Sequence, residues 1–482
     1  MEESHPSTYA PYGDGKGLHP DLMEALRVAP GNALSHLLDK HPEEAVSKQR
    51  LRSLFCVSTS STPSSPPPPS SPYDNGSPAV FLNHGAFGGP TLPSMVAAMS
   101  WETVANRRPL AFYDRLLFDA YGDSVSSLAS FLGPSVDAHQ LHLTQNPTSA
   151  INALVAHYAA ASPGKPMAVL STFYGSVGKT VERYTGQKPL VIPVPTPSFH
   201  AAWEIQAVID ALDKAEAQGI HLAGAVLDHV SSNQAYLSSL PELAAIFRQR
   251  NIPLVIDGAH GPLAQDLSLV LDGDNEFAPD AYVGSAHKWM AGPRGVGFFW
   301  LNPSRGETRI PDEAVLFPPV VSHGYDKGTR AGFAWDGTRS YAPALALPVT
   351  CAVWEALGVE DVRTHMHDTL RGGAEMLASR WGTSVLFPSP VLNGTSMAVV
   401  GLPPDLDIPG LPSSATIGQA SALLQDYLFE RGIEVPIKTT LDRLHVRISA
   451  HLYNSPADYQ ALADVVEEIR GEERGFEYYG LL

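Results

Sequence analysis

The chain has 482 residues, 44% hydrophobic and 17% charged, which is enough for two or three domains with sizeable cores. Its formal net charge of −18 argues against nucleic acid as a partner, because binding a phosphate backbone calls for a basic face. The two cysteines, Cys56 and Cys351, lie far apart and lack metal-ligand spacing, so neither a disulfide framework nor a zinc site is expected.

Taken in chain order, the first segment, "MEESHPSTYAPYG", carries acidic residues and no apolar core of a leader, so the cytoplasm is the expected location. Two helical patterns follow, "HPDLMEALRVAPG" and "NALSHLLDKHPEEAVSKQRLRSLF". Next comes "STSSTPSSPPPPSSPYDNGSP", with six prolines in residues 61–72. Such a tract buries no core and reads as a solvated, partly polyproline insertion, with a docking tract for a proline-reading module as the alternative. No stretch approaches the roughly 20 apolar residues of a membrane span, and no membrane partner is expected.

From residue 80 onward, apolar runs alternate with helix-like segments. The runs are "PMAVLST" (166–172), "LVIPVP" (190–195), "LAGAVLDHVSS" (222–232), "IPLVIDGAHG" (252–261), "DAYVGS" (280–285) and "GVGFFWL" (295–301). Between two of them, "SLPELAAIFRQRN" has helical spacing, with Leu243, Ile246 and Phe247 on one face. Continuous β-rich runs separated by helices predict an α/β fold with a mainly parallel sheet covered on both sides. In such sheets ligand groups sit on loops at the carboxyl ends of the strands. After "WDGTRSYAPALALP" the runs "SVLFPS", "SMAVVGLP", "IEVPIKTT" and "LHVRISAHLY" predict strands of a smaller α+β domain. Ser455 and Asp458 then form a capping-box signature for a final helix.

Asp257 ends the run "PLVID", and Lys288 follows the next strand 31 residues later, so both fall at one rim of the sheet. A buried lysine with a lowered pKa can condense with an aldehyde cofactor. A buried aspartate facing a pyridine nitrogen keeps it protonated, which makes pyridoxal phosphate an electron sink. Thr148 and Ser149 in "LTQNPTSAINAL" stand where a turn enters a helix, a place suited to a phosphate. Ser285 and His287 in "GSAHK" add donors immediately before the lysine.

On these residues the chain resembles the fold-type I pyridoxal-phosphate enzymes of the class V aminotransferase superfamily. The resemblance runs from "FLNHGAFGGP" (81–90) to "VRISAHLYN" (446–454), with "DGAH", "SAHKW" and "GPRGVG" as its most specific parts. It implies a seven-stranded large domain and a homodimer with shared active sites acting on a small amino-acid substrate. The divisions it implies are an N-terminal helical segment at 1–57 associated with the small domain and a Ser/Pro-rich insertion at 58–79. The cofactor-binding large domain follows at 80–345 and the small domain at 346–482. By the same resemblance Lys288 carries the cofactor covalently, Asp257 faces its ring nitrogen, and His260 contacts its phenolic oxygen. Thr148, Ser149, Ser285 and His287 hold its phosphate, and Thr338 in "WDGTRSY" reaches the phosphate of the neighbouring subunit. Arg447 in "VRIS" pairs with a substrate α-carboxylate, a task suited to a bidentate fork, with Asn83 and His84 beside the substrate. No metal is implied.

The reaction is less constrained, since this superfamily transaminates, racemises and cleaves bonds on either side of the α-carbon. "VPIKTTLDRLHVRIS" holds no cysteine of the kind that cysteine desulfurases deliver on a mobile loop, and Cys351 in "LALPVTCAVWEAL" reads as a small core residue. "PPVVSHGY", "WDGTRSY" and "MAVVGLP" resemble plant cysteine desulfhydrases and isopenicillin N epimerase-like proteins. "YGSVGKT" (174–180) and "DHVSSN" (228–233) resemble hercynylcysteine sulfoxide lyases of ergothioneine synthesis. That last resemblance makes Tyr174 the proton donor to a departing sulfur group, or a ring stacked on the cofactor, and Ser232 a contact to the cofactor's oxygen. A C–S lyase releasing pyruvate and ammonia by β-elimination is the reading these segments favour, with an epimerase or an aminotransferase as the alternatives. Arg107, Arg108 and Arg115 are candidates for a second substrate carboxylate or for subunit contacts.

Overall fold

Six of the apolar runs join with a seventh strand in one sheet. The computed structural model describes residues 20–40, 51–55, 80–194, 201–304, 316–388, 391–412 and 414–470. A two-residue strand β1 (Val80–Phe81) precedes the helices Leu92–Arg107 and Leu117–Leu132. The sheet strands follow as β2 (Leu141–Thr144), β3 (Met167–Leu170), β4 (Leu190–Ile192), β5 (Gly224–Asp228), β6 (Leu254–Gly258), β7 (Ala281–Ser285) and β8 (Gly297–Leu301). Their order is β2-β8-β7-β6-β5-β3-β4, with β8 antiparallel to both neighbours and every other pairing parallel. The expected α/β architecture with a mainly parallel seven-stranded sheet is therefore present. The strand not read from the sequence is β2, "LHLT", an edge strand with only two apolar residues.

The continuous apolar character of these strands follows from burial on both faces. On β3, Ala168 and Leu170 enter one core and Met167 and Val169 another; β5 and β6 divide likewise, Leu227 and Ile256 against Val226 and Val255. One layer is the helix Pro147–Ala161 with Gly175–Thr185; the opposite layer includes Leu117–Leu132 and Leu240–Gln249. Leu243, Ile246 and Phe247 form the buried face of the latter helix, as their spacing predicts.

A second core surrounds a three-stranded antiparallel sheet of β9 (Met397–Gly401), β11 (Ile437–Thr440) and β12 (Arg443–Ser449), while β10 (Ile433–Glu434) pairs with β1. The final helix Pro456–Glu468 starts in the capping box of Ser455 and Asp458. "SVLFPS" is not a strand but a single bridge from Val385 to Val400, and Pro388 has no N–H to extend the pairing.

The two cores divide the chain differently from a cut at 345/346. The helix Leu347–Leu357 and the described N-terminal helices Pro20–Val28 and Ala33–Lys40 pack into the large core, where Leu26 and Leu37 share apolar surface with Trp354 and Leu357. Among the described residues of the segment 1–57, Arg52 pairs with Asp458 at 3.1 Å, and Phe55 packs against His451 and Tyr453. The helix Val359–Trp381 crosses between cores, with Val362 and Met366 in the first and Leu370, Leu377 and Trp381 in the second. The Ser/Pro-rich insertion at 58–79 lies outside the described residues.

Candidate active site

The site is built where the strands end. β5 and β6 pair in parallel so that Asp228 and Asp257 are register partners. Alternation along each strand puts both on the face covered by the helix Pro147–Ala161. β7 ends at Ser285, and the turn that follows carries His287, Lys288 and Trp289 back across the same rim. The result is a cavity of about 190 Å³ lined by residues that include Asp228, Asp257, His260, His287 and Lys288.

Lys288 is the centre of this arrangement. Burial pushes its ammonium down to about 8, against the opposing pull of Asp257, with Arg447 lowering it slightly further. Its Nζ lies 3.1 Å from His260 Nε2. Trp289 Nε1, which can only donate, bonds His260 Nδ1 at 3.3 Å. The His260 proton is therefore on Nε2, and the ring presents an N–H to the pocket. Burial and the neighbouring Lys288 keep this imidazole neutral.

The two carboxylates differ in what holds them. Asp257 Oδ1 accepts the backbone N–H of Ala259 at 3.1 Å. Burial raises its pKa, while the charge of Lys288 and that N–H favour the anion. Asp228 is also raised by burial and then by the negative charge of Asp257, with the Thr172 hydroxyl donating to it at 3.0 Å. One proton shared by two adjacent buried carboxyls is the arrangement this pattern favours. Asp228 is a site residue that sequence reasoning missed. Its signal was the pair of strands "AVLD" and "LVID", each ending in aspartate at the same rim.

A helix N-terminus adjoins them. Asn146 caps the helix Pro147–Ala161, its Oδ1 accepting Ser149 N at 3.0 Å, and Thr148 lies on the pocket wall. Asn146 was not singled out from the sequence either. His287 donates Nδ1–H to Val296 O at 3.1 Å, so Nε2 is the atom left for the pocket. The Ser285 hydroxyl is buried with no hydrogen-bond partner and stands outside the pocket lining. Thr338 is exposed and also lies outside this lining.

Arg447 is almost fully buried, and burial pushes its guanidinium down to about 10. It donates to the Ser232 carbonyl and to Asn83 Oδ1, the latter at 3.1 Å, and no carboxylate pairs with it among the described residues. Asn83 thus orients Arg447 rather than lining the pocket. His84 requires a correction as a substrate contact. Its ring is fully buried, with Nδ1 bonded to Tyr453 OH at 2.8 Å and Nε2 to Lys288 O at 3.0 Å. It braces the Lys288 turn from behind, in a stack with His451 and Trp289. Gly88 belongs to the same close approach. At φ +67° a Cβ there would sit 1.7 Å from His287 O, so only glycine fits. Tyr174 caps the helix Gly175–Thr185, lines the pocket and is 46% exposed, open to an incoming ligand. Arg107, Arg108 and Arg115 do not line the pocket.

No family model matches the chain. It is 29% identical over 419 residues to a putative L-cysteine desulfhydrase 1 of Oryza sativa subsp. japonica, covering 80% of this chain and 82% of the rice protein. It is 32% identical over 256 residues to an isopenicillin N epimerase of Streptomyces clavuligerus, covering 51% of this chain and 59% of the other. A C-DES variant with glycine covalently linked to its PLP cofactor superposes with TM-score 0.62 at 15% identity, covering 81% of this chain and 97% of that one. The chain is a homologue of the first two and carries the class V fold. The rice relative matches over 80% of this chain, so the likeness extends beyond the lysine turn. Within the class V fold the pocket stands at the carboxyl ends of the parallel strands, the place where open α/β sheets take ligands.

The Lys288 amine sets a testable pH dependence. Burial disfavours the charged form, so the neutral, reactive amine appears at lower pH than the ordinary lysine value of about 10.4. In cofactor-free protein, competitive acetylation across pH is expected to show Lys288 half-reactive near pH 8. Asp257→Asn removes the group that favours the ammonium and is expected to lower the midpoint further. A midpoint near that of exposed lysines contradicts the buried-amine geometry.

Proposed function

We propose that the protein binds pyridoxal 5′-phosphate through Lys288 and acts as a carbon–sulfur lyase on a cysteine-derived amino acid. The observation that carries the reading is the buried pairing of a neutralisable Lys288 with Asp257 and a donating His260 in one small cavity. The residues fit the cofactor in kind. Asp257 supplies a buried anion for a ring nitrogen, and His260 Nε2–H supplies a donor for a phenolic oxygen. The Asn146–Ser149 helix start and His287 surround an anion locus. Holding phosphate with His287 Nε2 as donor takes the imidazolium, and the phosphate charge itself favours that form.

Bound there, the cofactor supplies an electron sink for the α-carbanion. The chain's part is orientation and proton transfer. Arg447 holds the α-carboxylate with a fork already braced by Asn83 and Ser232. Lys288 Nζ takes the α-proton as a neutral amine. Tyr174, at the open side of the pocket, gives a proton to the departing sulfur. The only cysteine among the described residues, Cys351, is fully buried and its thiol is pushed up by burial, so it offers no sulfur-accepting thiolate. This favours elimination over transfer to a protein sulfur, in line with the desulfhydrase homologues. L-Cysteine and hercynylcysteine sulfoxide are the substrates that the sequence resemblances bring forward. Epimerisation is the second reading, favoured by the 32% identity to the Streptomyces enzyme.

We also propose a homodimer. Met99 (65% exposed), Leu110 (75%) and Phe118 (52%) are exposed apolar side chains, and Phe87, which is 64% exposed, lines the pocket. Nothing among the described residues covers them, and a second copy is the occupant proposed, its Thr338 completing the neighbour's phosphate site. Sedimentation is expected to give one species of twice the 51.6 kDa chain mass. A fully active monomer would rule this out.

Tyr174→Phe tests the lyase reading. It keeps the ring and removes the hydroxyl, so it isolates the proton transfer, worth about 100- to 10,000-fold. Pyruvate formation from the best cysteine derivative is expected to fall by two or more decades, while α-proton exchange with solvent continues. A change of only a few-fold assigns Tyr174 to stacking. A wild-type protein that inverts its substrate and forms no pyruvate contradicts the lyase reading itself.

A further inference from the structure

β11 and β12 pair antiparallel, with Lys438 opposite His445 and Arg447 two residues beyond His445 on the same face of the small sheet. Diagonal neighbours of this kind have Cα atoms roughly 7–8 Å apart. Both side chains reach the turn after β5. Lys438 Nζ donates to Asn233 Oδ1 at 3.4 Å, and Arg447 donates to the carbonyl and hydroxyl of the adjacent Ser232. Ser232 lines the pocket, and the two cations hold its turn from the side of the small sheet, behind that lining.

Neither has a carboxylate partner among the described residues; their hydrogen bonds go only to amide, hydroxyl and carbonyl oxygens. Lys438 is only partly exposed, and burial together with the Arg447 charge pushes its ammonium down to about 8. Two like charges held side by side on a partly buried face destabilise each other until an anion joins them.

We infer that Lys438 forms a second anion subsite beside Arg447, and that the preferred ligand is an amino acid with an acidic group on its side chain. The inference rests on the reading of Arg447 as the α-carboxylate group. Lys438 then meets the distal carboxylate, at a spacing suited to a side chain of a few atoms. The arginines of the segment 107–115 are not needed for it. A ligand with a quaternary ammonium at its far end is disfavoured by the same charge.

The test uses L-2-aminoadipate and its side-chain amide, which differ in charge and have no β leaving group, titrated calorimetrically into the cofactor-loaded full chain. The wild type is expected to bind the acid about tenfold more tightly than the amide, the scale of one charge-assisted hydrogen bond. Lys438→Gln is expected to bring the two within about twofold, and Lys438→Arg to keep the preference. Equal binding of both ligands to the wild type, or a preference that survives Lys438→Gln, overturns the subsite. Pyruvate from cysteine derivatives, measured in parallel on the wild type, tests the lyase reading separately from the subsite. If no cysteine derivative yields pyruvate while the acid preference holds, the lyase reading falls and the subsite stands.

Discussion

Burying an amine among two carboxylates and a histidine is the constraint on which the site depends. In water Lys288 would be a charged, unreactive ammonium. In the cavity its charge is poorly solvated, and the nearest stabilising anion, Asp257, is itself buried and raised. The outcome is a lysine balanced near neutrality, which is the form that condenses with an aldehyde and later takes a proton. Much of the surrounding structure keeps that balance in place. Trp289 fixes the proton of His260 on the side facing Lys288, and His84 ties the Lys288 carbonyl to Tyr453, which follows β12. The glycine at 88 lets the segment that carries His84 and Phe87 lie against the His287 carbonyl.

The brace draws its rings from distant parts of the chain. Rings of His84, His451, Trp289 and Tyr453 form one stack, and Phe55 from the N-terminal segment packs edge-on against it. Arg447 comes from the small sheet, yet its hydrogen bonds end on Asn83 and on the β5 turn of the large sheet. Contacts between the two sheets therefore adjoin the pocket, and a shift of the small sheet would move the Arg447 guanidinium relative to the lysine.

Much of this was legible in the sequence because parallel strands buried on both faces read as continuous apolar runs. Asp257 and Lys288 stood out as a pair, in that order and 31 residues apart at one rim, and His260 came from the resemblance carried by "DGAH" and "SAHKW". The edge strand β2 was not legible, since "LHLT" offers only Leu141 and Leu143 to a core. Asp228 was missed because one aspartate at a strand end is ordinary, and its meaning comes from register with Asp257, which only pairing reveals. His84 was misplaced for a related reason. Its neighbours in sequence belong to the site, but its own ring nitrogens are consumed by Tyr453 and the Lys288 carbonyl. The helix Leu347–Leu357, which follows the cut at 345/346, is apolar on more than one side and packs with the large core, a partnership its sequence does not reveal.

The chemistry proposed here stands or falls on one amine. Borohydride reduction of the purified protein, followed by proteolysis and mass mapping, reads out which lysine carries the cofactor. The account predicts a pyridoxyl group on the peptide containing Lys288, in "VGSAHKWMAGPR", and none on that peptide in Lys288→Ala. A label on any other lysine, or an unlabelled Lys288 in protein saturated with pyridoxal phosphate, would contradict it.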